Sequence, residues 1–78
     1  MTTNMLERAK GVDLPVLTPR ETEVLKFMAL GMKNAEIAKK LTISEHTVKA
    51  HVCHILKKFS ASDRLVAVVK AIRLGIIE

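Results

Sequence analysis

Apolar positions fall into four short periodic runs separated by turn-forming residues, and each run reads as a helix. The clearest lies between Ser44 and Phe59. There Val48, Val52, Ile55 and Phe59 recur at steps of four, three and four, which draws one apolar stripe along a helix. Ser44 suits the position ahead of it, because its hydroxyl can accept from a free backbone N–H two or three residues on. The opposite side of that helix carries His46, Lys49, Ala50, Cys53, His54 and Lys57, with no carboxylate and no large apolar group.

The other runs are bounded as sharply. Thr18, Pro19 and Glu21 predict a helix start, with a capping box and a proline at the first helical position. Val24, Leu25 and Met28 form its core stripe, and Gly31 fits the left-handed residue that ends it. A short second helix is expected from about Ala35 to Leu41, capped by Asn34, with Ile37, Ala38 and Leu41 facing inward. Thr42-Ile43-Ser44 turns the chain, with Ile43 as an apolar plug.

A fourth helix is expected from about Asp63 to Leu74, capped by Ser62 in preference to Ser60 and ended by Gly75. It has more apolar surface than one stripe requires. Leu65, Val68, Val69 and Ile72 read as its core face. Ala67, Ala71 and Leu74 read as a second strip where a second copy of the chain could approach closely, that is, a dimer interface. Residues 1–16 read as an arm or linker, with room for a helical turn or two at Met5–Ala9 before Gly11 and Pro15. The expected fold class is therefore all-α, in one four-helix domain over residues 17–78.

Composition narrows the function. A 78-residue chain is one domain that needs efficient packing, and 49% hydrophobic residues argue for a folded core. Cys53 is the only cysteine, so no disulfide closes within the monomer. The net charge of +5 favours a polyanionic partner. Six lysines (33, 39, 40, 49, 57 and 58) face only Glu36 and Glu45 in the central segment, a local surplus of +4. Aromatic residues make up 3%, without Trp or Tyr, which argues against stacking of single-stranded bases. No signal peptide or membrane-length apolar stretch is present in the sequence, so a cytoplasmic protein without a membrane partner is expected.

Enzymatic chemistry finds little support. The sequence has no phosphate loop, no Ser–His–acid arrangement and no converging carboxylate pair, so neither catalysis nor a cofactor is expected. His51, Cys53 and His54 lie close in sequence but on diverging sides of a helix, and no second cluster completes a metal site. Two helices joined by a tight turn, the second amphipathic with a basic outer face, instead describe a helix-turn-helix over about residues 34–58. Helix 45–58 would enter the major groove of double-stranded DNA, which is wide enough to admit a helix. Ala38 and Val48 would set the crossing angle of the pair.

The run Leu17-Thr-Pro-Arg-Glu-Thr-Glu-Val-Leu25 resembles the opening of LuxR-type (NarL/FixJ-type) DNA-binding domains. So do Asn34-Ala-Glu-Ile-Ala38, Ile43-Ser-Glu-His-Thr-Val-Lys-Ala-His-Val52 and Ile55-Leu56-Lys57-Lys58. The resemblance implies a four-helix domain that regulates transcription, commonly as a homodimer on two half-sites and often attached to a receiver or sensing domain. By position it places His46, Lys49, Ala50 and Cys53 at base edges, and Asn34, Thr47 and Lys57 at phosphates. Ala50 is often polar or valine in relatives and Cys53 often serine or lysine. Base reading here is therefore expected to lean on Lys49, on His46 and on apolar contact with thymine methyls. The alternative is a protein-interaction module of the same fold without DNA binding. Contact with RNA polymerase stays open.

Overall fold

The computed structural model describes residues 14–78, which form α1 (Pro19–Ala29), α2 (Asn34–Leu41), α3 (Glu45–Phe59) and α4 (Arg64–Arg73), with no strand among them. Most of the arm expected over residues 1–16, including the turn at Met5–Ala9, lies outside the described residues.

The helix ends follow from local chemistry. At α1 the Thr18 hydroxyl accepts from the Glu21 N–H at 3.1 Å, and the Glu21 carboxylate accepts from the Thr18 N–H at 3.0 Å. Gly31, at φ +81°, takes the left-handed turn that ends the helix, a conformation that costs a residue without a β-carbon nothing. At α3 the Ser44 hydroxyl accepts from the Thr47 N–H at 3.0 Å.

Two expected caps are corrected. Asn34 does not cap α2. It is the first helical residue, Lys33 flanks the helix, and the Lys33 N–H donates to Glu36 Oε1 at 2.7 Å. Neither Ser62 nor Ser60 caps α4. Asp63 does so, its Oδ1 accepting from the Val66 N–H at 2.9 Å. A carboxylate also complements the positive end of the helix, which a serine hydroxyl does not. Ser60 instead ends α3 in the left-handed region.

α3 packs against each of the other three helices. Its stripe of Val48, Val52, Ile55 and Phe59 is buried against Val24, Leu25 and Met28 of α1 and Ile37 and Ala38 of α2. Ile43 packs partly buried under the turn. Lys70 of α4 reaches back and donates to the Phe59 and Ser60 carbonyls at 3.1 and 3.2 Å, satisfying groups at the C-terminal end of α3.

The faces of α4 are exchanged in part: of the residues expected inside, Val68 packs partly buried against the core, while Leu65 and Ile72 do not. Ala67 and Ala71 are fully buried in the core, so neither can meet a second copy. Leu65 and Ile72, expected inside, are 72% and 48% exposed. α4 packs on α1 and α3 with Ala67 and Ala71 wholly enclosed, small side chains that let helices approach closely. Leu74, the third residue of the expected interface, is exposed as that reading required.

Candidate nucleic-acid interface

Burying one stripe of α3 fixes what the helix shows to solvent. His46, Lys49, Ala50, Cys53, His54 and Lys57 are all exposed, and Thr47 is half-buried beside them. Their spacing of three and four puts them along one side of a helix about 22 Å long, at roughly 1.5 Å per residue. That side is narrow, because Ala50 and Cys53 are small at its centre. A groove about 12 Å wide admits such a helix, and the small residues let its backbone approach base edges. Among the described residues no group of three or more His, Cys, Asp or Glu side chains converges to hold a metal ion, and Cys53 is a free exposed thiol.

The N-terminal end of α3 is ordered by a pair of hydroxyls. Ser44 Oγ and Thr47 Oγ1 lie 2.9 Å apart, with the Thr47 N–H donating to the same Ser44 oxygen. One threonine hydroxyl is thus held at the helix end whose dipole favours anions. Asn34, at the start of α2, accepts through Oδ1 from Arg64 Nη1, while Arg64 Nη2 donates to the Met32 carbonyl at 2.9 Å. Asn34 is half-buried by this contact. Lys57 makes no hydrogen bond or ion pair among the described residues.

Lys58, by contrast, is structural. Its ammonium donates to Glu21 Oε1 at 2.7 Å and to the Val16 carbonyl at 2.9 Å. Glu21 is the one buried charged residue among the described residues, and His54 Nδ1 stands 3.9 Å from its other oxygen. Burial alone would raise the carboxyl pKa. The hydrogen bonds from Lys58 and from the Thr18 N–H, with the Lys58 charge and a smaller share from His54, outweigh it and hold the pKa below its ordinary value. This cluster anchors the C-terminal end of α3 to the start of α1. It also brings one carboxylate to the rim of the exposed side that α3 itself leaves free of acid.

The structure therefore brings His46, Lys49, Ala50 and Cys53 together on one face, with Thr47 and Lys57 toward its ends and Asn34 on the neighbouring helix. Sequence reasoning missed the two polar ties, Glu21–Lys58 and Asn34–Arg64. Glu21 was legible only as a cap, and nothing local marks a partner 37 residues away.

The family of bacterial regulatory proteins described as the luxR family matches residues 15–71. An uncharacterised transcriptional regulatory protein of Bacillus subtilis, YxjL, is 57% identical over 78% of this chain and 28% of its own length. The nitrate/nitrite response regulator NarL of Escherichia coli is 49% identical over 73% of this chain and 26% of its own length. The chain thus spans little more than a quarter of these relatives. Among solved structures, the transcription factor GerE superposes with a TM-score of 0.75 at 32% identity, covering 80% of this chain and 92% of GerE. The response regulator ChrA of a haem-sensing two-component system superposes at 0.78 and 35% identity, covering 92% of this chain and 36% of ChrA.

Proposed function

The chain belongs to the luxR family of bacterial regulatory proteins, a family of non-enzymatic DNA-binding transcriptional regulators, and we propose that it reads a specific double-stranded sequence by laying α3 in the major groove. The observation that carries the reading is the sorting of α3: Val48, Val52, Ile55 and Phe59 are buried, Leu56 is partly buried, and a basic, small-residue side is left exposed. No helix of the described residues is long and apolar enough to cross a membrane. A protein that reads bacterial DNA works in the cytoplasm.

In this reading Lys49 donates to guanine O6 and N7, and His46 reads an acceptor near the start of the helix. Ala50 and Cys53 meet thymine methyls or simply let the helix sit deep. Thr47, Lys57 and Asn34 bind phosphates and fix the register without selecting a sequence. Two copies meet on DNA through the outer face of α4, where Leu65 and Ile72 are exposed. Burying such a patch is what a second copy offers a domain this small.

The test is duplex binding as a function of salt. Wild-type affinity should fall steeply as salt rises, because phosphate contacts release counterions. Lys57→Ala should weaken specific and non-specific duplexes alike and reduce the salt slope by about one. Lys49→Ala should weaken the specific duplex more. Equal losses on both duplexes would remove Lys49 from base reading, and unchanged affinity in both variants would remove α3 from the interface.

A further inference from the structure

We propose that Arg64 is a positioning residue for DNA binding: it locks the Asn34 amide so that its Nδ2 donor, and not its oxygen, is offered to a phosphate. The inference rests on the DNA-binding reading above. Its starting point is the contact between the first residue of α4 and the first residue of α2, 30 positions apart in sequence.

The chemistry decides which end of the amide faces which partner. A guanidinium carries only donors, so the Asn34 atom against Arg64 Nη1 must be the acceptor, Oδ1. Nδ2 is then turned away, and among the described residues it has no hydrogen-bond partner. A phosphate oxygen only accepts, so it needs that Nδ2 group. An unrestrained asparagine presents either end, and its carbonyl oxygen would repel a phosphate. Arg64 removes that choice. Its own place is fixed by the second bond, from Nη2 to the Met32 carbonyl at 2.9 Å, just before α2 begins. Planarity makes the pair of bonds directional in a way a lysine ammonium cannot match.

The surroundings suit an anion on balance. The depression beside this pair is lined by Lys33, Ala35 and Glu45 as well as Asn34 and Arg64. Among the described residues Arg64 is bonded to neutral groups only, so no carboxylate there cancels its charge by direct contact. Glu45 is the one acid lining the depression. Arg64 therefore acts through Asn34, orienting its amide without touching DNA.

The experiment is a double-mutant cycle on the 78-residue chain with one 30-bp duplex of fixed sequence, since phosphate contacts do not depend on sequence. Arg64→Met and Asn34→Ala should each weaken binding about fivefold, the worth of one hydrogen bond. In the Asn34→Ala background, Arg64→Met should cost almost nothing more. The salt slope of Arg64→Met should stay that of wild type, and Arg64→Lys should restore only part of the loss. A slope reduced by about 0.9 would make Arg64 a direct phosphate contact and overturn the proposal. So would additive losses, which would mean that Arg64 acts through folding or through Met32.

Asn34→Asp carries the test if Arg64→Met unfolds. The new carboxylate still accepts from Arg64 but has no donor for a phosphate. Its Tm should equal or exceed that of wild type while duplex affinity drops below that of Asn34→Ala. A Tm no higher than that of Asn34→Ala would mean that Arg64 does not hold position 34, and would overturn the proposal. Wild-type chain that shows no salt-dependent binding to duplex overturns the DNA-binding reading and this inference with it. Wild-type binding with an additive cycle overturns the inference alone.

Discussion

α3 and α4 are both amphipathic, yet they use their apolar residues in opposite ways. α3 buries its large side chains, Val48, Val52, Ile55 and Phe59, and shows small and basic ones. α4 buries two alanines, Ala67 and Ala71, and shows Leu65 and Ile72. The first arrangement makes a helix that the core holds firmly while its outer side stays polar and narrow, as a groove requires. The second makes a helix seated close to its neighbours through small residues, with its large apolar side chains left for another surface. One helix leaves a basic side uncovered and the other leaves large apolar side chains uncovered.

The contrast breaks most completely at Ala71. Ala71→Glu would bury an unpaired charge beside the α3 stripe and should cost about 3–5 kcal/mol of folding stability. Urea unfolding reads it as a lowered midpoint with the cooperative transition lost or displaced. A midpoint near wild type would mean that α4 does not sit on the core through its alanines. The same substitution is for that reason a poor probe of self-association.

Next in size is the outer side of α3. Lys49→Ala should cost about 1–3 kcal/mol of specific binding and almost nothing in folding. Titration of a selected duplex, set beside thermal unfolding of the same variant, separates the two effects.

Glu21 tests how α3 is anchored. Glu21→Gln keeps the shape but loses the ion pair with Lys58, and should cost about 1–2 kcal/mol at neutral pH. The sign with pH follows from the lowered carboxyl pKa. The folded state holds the Glu21 proton less tightly than the unfolded state does, so the contribution is complete above the unfolded value of about 4.3. It disappears as pH falls through the lower folded value. The stability gap between wild type and Glu21→Gln should therefore be widest near pH 7 and close in acid. A gap that persists unchanged in acid would mean that charge pairing is not its source.

The smallest folding effect belongs to the outer face of α4. Leu65→Ala and Ile72→Ala should leave monomer stability within about 0.5 kcal/mol. Both should lower cooperativity on a duplex with two half-sites. Unchanged cooperativity would place the meeting of two copies elsewhere.

These two helices also show how far the residues alone carry the fold. The α3 stripe was legible because large side chains at steps of three and four leave no competing face. α4 offered two faces, and of the residues expected inside Val68 packs on the core while Leu65 and Ile72 do not. Leu65 and Ile72 outrank alanine in apolarity, but the packing limits full burial on α4 to Ala67 and Ala71. That limit is set by how closely three helices approach, which no single run of residues records. The exposed side of α3 was legible because helix spacing and family resemblance converge on the same positions. The ties Glu21–Lys58 and Asn34–Arg64 were not, since each joins residues from separate helices and neither leaves a periodic trace.

The central claim is that the exposed side of α3 reads sequence. Selection of a randomised duplex pool by the wild-type chain and by Lys49→Ala, at low and at moderate salt, tests it most directly. The wild-type chain should enrich a motif arranged as two similar half-sites, and Lys49→Ala should lose or change that motif. Salt-sensitive retention of duplex without enrichment, or the same motif from both proteins, would contradict it.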